Sequence, residues 1–256
     1  MKSVLITLLT ICLCQSLMSD DVAKKFFENT KTKAEKGDAV AQYTLGRLYE
    51  QGRGVEKNDK EAVKWLRLAA EQGLAFSQSI LGRKYEKGEG VREDHKEAVK
   101  WFRKAAEQGY AYAQNCLGIK YWKGEGVGED HKEAVKWFRK AAERGLAHAQ
   151  HNLGVAYLRG KGVLLNDKEA VKWIRKAAEQ GNALAQNNLG IMYADGDGVM
   201  QDYVAAYAWA NIAEANGCDV KKFKSEFLEK KMTNEDVSKA QELSKQMVKK
   251  NPKLLK

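Results

Sequence analysis

From residue 37 onward the apolar positions recur on two periods at once. Inside the stretch 39–50, Ala41, Leu45, Leu48 and Tyr49 fall at i, i+4, i+7 and i+8, one face of a helix of 3.6 residues per turn. The whole pattern then returns every 36 residues. Gly46, Gly82, Gly118, Gly154 and Gly190 keep that spacing, as do Tyr49, Tyr85, Tyr121, Tyr157 and Tyr193. So do Trp65, Trp101, Trp137, Trp173 and Trp209, while Gly37, Gly73, Gly109, Gly145, Gly181 and Gly217 mark the boundaries. A period of this length predicts stacked units, each too small to bury its own apolar face.

Each unit predicts two helices. In the first unit one helix runs from about Ala39 to Glu50 and stops at Gly52 and Gly54, because glycine takes the left-handed C-cap conformation at no steric cost. The second runs from about Asp59 to Gln72, burying Ala62, Val63, Leu66, Ala69 and Ala70. The column Asn58, Asp94, Asp130, Asn166, Asp202 holds only good N-cap residues. Glu61, Glu97, Glu133 and Glu169, three positions on, predict capping boxes, which Ala205 leaves incomplete in the fifth unit. A glycine inside a helix costs about 1 kcal/mol relative to alanine. Gly46 and its equivalents therefore predict close packing, with Gly118→Leu far more damaging than Lys120→Leu.

The expected fold class is all-α, a solenoid of helix-turn-helix repeats. Five repeats occupy 37–216, a capping helix with Phe26 and Phe27 turned inward occupies 20–36, and lysine-rich capping helices occupy 217–256. The last region is expected as one polar helix over Cys218–Lys230 and another opened by Thr233. One proline against 22 glycines fits this reading and argues against a loop-rich β-sandwich.

Residues 1–19 read as a signal peptide: Lys2, then the apolar run Val4–Leu13, then small and polar residues. That run is too short to span a bilayer core of about 30 Å, so no transmembrane span is expected. Cys12 follows Leu9-Thr10-Ile11, a poor lipoprotein box because Ile11 is bulky, so no lipid anchor is expected either. The protein is expected to be exported, periplasmic or secreted. Cys116 and Cys218 then remain, nearly three repeats apart and too distant for a disulfide. The net charge of +10 is concentrated after Cys218, where eleven lysines face six acidic residues. No basic stripe with interleaved aromatics follows a phosphate backbone, so no nucleic-acid partner is expected.

The pattern A-x-x-x-L-G-x-x-Y-x-x-G-x-G-V, then D-x-x-x-A-x-x-W-x-x-x-A-A-E-x-G, resembles the Sel-one-like repeat family, relatives of tetratricopeptide repeats. Here it is carried by Ala41, Leu45, Gly46, Tyr49, Gly52, Gly54, Val55, Ala62, Trp65, Ala69, Ala70 and Gly73, with four further copies. The resemblance implies a right-handed α/α superhelical solenoid serving as a protein-protein interaction adaptor. It also implies an alternative, because some disulfide-rich secreted members carry a penicillin-binding or β-lactamase label. This chain lacks their paired cysteines and the usual proline between the two helices.

No catalytic constellation accompanies the repeats. There is no Ser-x-x-Lys for a serine β-lactamase nucleophile. The Gly-x-Gly turns follow helices rather than strands, so they are not nucleotide loops. Asp195-Gly196-Asp197-Gly198 lacks the ligands of a calcium loop, and His148 with His151 lacks a third metal ligand. No cofactor, metal or enzyme activity is expected.

What remains is a surface. By analogy with tetratricopeptide stacks, the first helices line a concave groove, and four of their columns face away from the core. They are Val40, Phe76, Tyr112, His148, Leu184; Tyr43, Ser79, Asn115, His151, Asn187; Arg47, Arg83, Ile119, Val155, Ile191; and Glu50, Glu86, Trp122, Leu158, Ala194. These columns vary while the core columns repeat. Tyr43, Arg47, Phe76, Arg83, Tyr112, Asn115, Trp122, His148, His151 and Asn187 are the expected contacts for a peptide or partner protein.

Overall fold

A computed structural model describes residues 20–255, so the segment read as a signal peptide, with Cys12, lies outside the described residues. Among the described residues every regular element is helical. The chain forms two compact units, one ending at Gln108 and the next beginning at Gly109, which is a repeat boundary.

In the first unit α1 (Asp20–Glu35) packs on α2 (Ala39–Gln51), α2 on α3 (Asp59–Glu71), α3 on α4 (Ala75–Lys87) and α4 on α5 (His95–Glu107). The second unit continues in the same manner through α6 (Ala111–Lys123), α7 (His131–Glu143), α8 (Ala147–Arg159), α9 (Asp167–Ala178), α10 (Ala183–Asp195) and α11 (Tyr203–Ala215). A last helix, α12 (Asn234–Lys250), packs on α11. The even-numbered members from α2 to α10 are the first helices of the repeats, and α3 to α11 are the second.

The core of each pair is a leucine against alanines. Leu117, Leu153 and Leu189 are fully buried, and so are Ala134, Ala141, Ala170 and Ala177 on the second helices. Such small residues let the helices approach, and the helix glycines take the approach further. A Cβ on Gly118 would stand 2.6 Å from the Phe138 ring, and on Gly154 2.5 Å from Ile174 Cγ1. Gly162 combines a φ of +72° with a carbonyl, that of His131, 2.1 Å from where its Cβ would be. Lys120 is not the permissive neighbour of Gly118 that the sequence suggested: it is 1% exposed, its Nζ 2.9 Å from Glu125.

The second helices start on their expected N-caps, but not through reciprocal boxes. Asp130 Oδ1 accepts from the Glu133 amide at 3.0 Å, and Asn166 Oδ1 from Glu169 at 3.0 Å. The glutamates then turn away to Lys136 and Lys172. The cap's own amide donates instead to the carbonyl of the tyrosine that closes the first helix: Asp130 to Tyr121, Asn166 to Tyr157, Asp202 to Tyr193. With that donor already satisfied inside the hairpin, the glutamate has no bond to return. The reciprocal box does form at Thr233 and Asp236, which open α12.

Beyond α11 the structure also departs from expectation. Residues 221–231 are not one polar α-helix: Phe223–Leu228 winds as a π-helix and Glu229–Lys231 as a 3-10 turn. The apolar residues explain it. Phe223 and Leu228 are five apart, a spacing that the wider turn places on one side, where they pack with Val220 and Phe227 against Tyr207 and Ala240. Tyr207 donates to Glu229 at 2.9 Å, and burial followed by that carboxylate pushes its pKa up to about 12.

Candidate functional site

The repeat arithmetic that builds the helices also fixes which side chains join them. Arg139 Nη2 donates to Tyr157 Oη at 2.7 Å, and Arg175 to Tyr193 at 2.7 Å, tying a second helix to the next first helix. In the first unit Arg67 and Tyr85 make the same pair. A buried glutamine column, which the apolar pattern does not reveal, does the same work. Gln78 Nε2 donates to the Ala70 carbonyl at 3.0 Å and Gln150 to Ala142 at 3.2 Å. Their Oε1 atoms accept from Gln108 and Gln180. The available signal was the polar residue at a core phase, returning with the period: Gln42, Gln78, Gln114, Gln150, Gln186.

A second buried polar feature breaks a column rather than continuing it. Lys84, like Lys120 in the next repeat, stands where the others carry Leu48, Ala156 and Met192, and each is 1% exposed. The Lys84 ammonium lies 2.6 Å from Glu50 and 2.9 Å from Glu89. Burial works against the charge, but the two carboxylates prevail and the Lys84 pKa is raised. The same bond lowers that of Glu89.

Against this frame the predicted contact residues separate into two groups. Asn115, 5% exposed, accepts from Asn152 Nδ2 at 2.9 Å, and His151 Nε2 lies 3.0 Å from Asn188 Nδ2. That column is therefore not freed from stacking, because it links α6 to α8 and α8 to α10. Burial holds the His151 pKa below the ordinary imidazole value, with the charge of His148 acting in the same sense and the Asn152 hydrogen bond against it. Trp122 also turns inward. Its ring stacks on His131 at 4.6 Å and on Phe138 at 6.0 Å, within its own hairpin.

The remaining residues are exposed or half-buried. In the second unit Tyr112 is 40% exposed, Leu184 60% and Ile191 36%, with His148 exposed and Ile119 and Val155 half-buried. Asn187 is half-buried beside them. In the first unit Val40, Tyr43, Phe76, Arg47 and Arg83 are half-buried, and Arg47 pairs with Glu50 at 3.0 Å. The exposed residues here, Tyr112, Leu184 and Ile191, are thus apolar or aromatic, with His148 the one imidazole beside them. Among the described residues no group of three or more His, Cys, Asp or Glu is placed to hold a metal ion, and no helix is long and apolar enough to cross a membrane.

The Sel1 repeat profile matches residues 39–74, 75–110, 111–146, 147–182 and 183–218. A crystal structure of a Sel1 repeat protein from Oxalobacter formigenes is 36% identical, with a TM-score of 0.74 over 88% of this chain and 95% of its own. A protective antigen of uropathogenic Escherichia coli with an SLR fold is 32% identical over 89% of this chain and 65% of its own, with a TM-score of 0.46. A sel1-like repeat-containing protein of Acanthamoeba polyphaga mimivirus is 46% identical over 39 residues, a segment spanning 7% of that protein's length.

Proposed function

Since the chain belongs to the Sel1 repeat family, whose members generally serve as non-enzymatic protein-protein interaction scaffolds, we propose that it binds a peptide or partner protein on the outward face of its first helices. One observation carries the reading. The column Val40, Phe76, Tyr112, His148, Leu184 changes at every repeat, and its last three members are exposed. A column that varies, is exposed in its last three members and is still rich in apolar side chains is what a partner-specific surface requires. The partner presents apolar or aromatic side chains to Tyr112, Leu184 and Ile191. Export to the periplasm or the exterior is part of the same proposal and rests on the apolar run Val4–Leu13 behind Lys2.

Photo-crosslinking tests it. A photoreactive amino acid at Tyr112 is compared in the native host with one at Lys136, an exposed position on the second helix α7. A species captured from Tyr112 and not from Lys136 is expected; identical adducts from both positions, or none from Tyr112, would remove the first-helix face as the working surface.

A further inference from the structure

The turns that enter the first helices are not alike. The three middle repeats place a large apolar residue directly before the helix, Leu74, Tyr110 and Leu146, each half-buried and none making a side-chain cap. The fifth has Asn182 there, and its Oδ1 accepts from the Ala185 amide at 2.9 Å. Repeat five therefore lacks the apolar side chain that its neighbours supply at this turn.

Another part of the chain supplies it. Leu254, 3% exposed, joins the same core cluster that Leu146 packs against. Its carbonyl accepts from Gln186 Nε2 at 2.8 Å and from Asn216 Nδ2 at 2.6 Å, while Asn251 Nδ2 donates to the Glu179 carbonyl at 2.9 Å. Gly181 and Asn182 are buried in consequence, whereas Gly37, Gly73 and Gly145 at the matching turns are exposed. At the earlier turns the amide matching Asn216 closes on the chain itself: Gln72 donates to the Gly37 carbonyl and Gln108 to Gly73. Asn216, one methylene shorter, keeps the bond to its glutamine, Gln186 Oε1, at 2.8 Å and also donates to the incoming segment.

That segment is held by one buried side chain and three side-chain hydrogen bonds. Lys253 beside it is exposed and Leu255 is 40% exposed. The helix before it, α12, packs on α11 in its own right, so releasing the 3-10 turn Pro252–Leu254 leaves α12 in place. We propose that the Gly181–Asn182 turn, with Gln186 and Asn216, is a docking site for a short Asn-Pro-x-Leu segment. Residues 251–254 occupy it in this chain, and a partner protein carrying such a segment binds by displacing them. The site uses the buried Asn182 and Gln186 rather than the exposed Leu184 and Ile191 of the face described above, and does not depend on that face.

Fluorescence anisotropy with the labelled peptide Lys-Asn-Pro-Lys-Leu-Leu, residues 250–255, tests the proposal on the full-length chain. Leu254→Asp ejects the internal segment, and this variant is expected to bind the peptide at least ten-fold more tightly than the unaltered chain. Adding Asn182→Leu restores the apolar residue of the middle repeats and is expected to abolish that gain. Leu254→Ala provides the same comparison if circular dichroism shows the aspartate variant unfolded. Equal binding to the altered and unaltered chains, no binding to a folded Leu254 variant, or a gain that survives Asn182→Leu would overturn the proposal.

Discussion

The Arg139 guanidinium reaches forward to the Tyr157 hydroxyl at 2.7 Å and lies over the same ring, 5.7 Å from its centroid. The tyrosine column therefore works twice: its carbonyl holds the cap of its own hairpin and its hydroxyl holds the preceding repeat. Tyr157→Phe keeps the carbonyl and the ring but loses the hydroxyl bond, and it should cost about 1–2 kcal/mol in urea denaturation. Arg139→Ala combined with Tyr157→Phe should cost less than the sum of the two singles, since both remove one interaction.

Gly118→Ala sets a better helix former against a collision with the Phe138 ring. The propensity gain is about 1 kcal/mol. Overpacking of this kind typically costs about 1–3 kcal/mol, so a net loss of stability is expected. At Gly190 the nearest atom is the Ala206 carbonyl at 3.1 Å, with no aromatic ring in the way. Thermal melts should show Gly118→Ala as the more damaging of the two.

Lys84 and Glu89 make a pH-dependent contribution with a definite sign. Because Glu89 has a folded pKa below its unfolded one, its stabilisation is complete above the unfolded value and is lost as pH falls through the folded value. Lys84→Met, which matches Met192 in the fifth repeat, removes the partner. The stability difference between the original chain and this variant should be larger at pH 7 than at pH 3 in denaturant titrations.

His151 acts with the opposite charge and the same pH direction. Burial depresses its folded pKa, so the unfolded chain takes up the proton first, and stability falls as pH drops below the ordinary imidazole value near 6.5. The fall ends once the folded pKa is passed. His151→Asn, the residue already present at Asn115 and Asn187, should flatten the stability profile between pH 7 and pH 5.

The helices, their pairing and the glycine contacts were legible in the sequence because each rests on a residue type that recurs at one phase. The N-caps were legible for the same reason, but the fate of Glu133 was not: it depends on whether the Asp130 amide already has an acceptor, and that acceptor, Tyr121, belongs to another helix. Lys120 reads as exposed because long charged residues usually are, yet it and Lys84 are buried. Their burial depends on carboxylates such as Glu50 and Glu125 supplied from elsewhere. Within the candidate surface, Tyr112 and Leu184 lie outward, while Asn115, His151 and Trp122 were misread as free. A column that varies is released from sequence identity, but not from contact. Asn115 and His151 keep stacking through pairs that need a match only with each other.

Three kinds of side-chain bond between successive repeats connect positions a fixed number of residues apart: 18 for Arg139 and Tyr157, 8 for Gln150 and Ala142, 37 for Asn152 and Asn115. Excising residues 147–182 as a block would hand Tyr193 to Arg139, Gln186 to Ala142 and Asn188 to Asn115, the first two meeting a partner of the kind they lost. The length of this molecule is accordingly quantised. Whole 36-residue blocks preserve the register of these three bonds, whereas an insertion of one residue inside a helix misaligns every such bond across it.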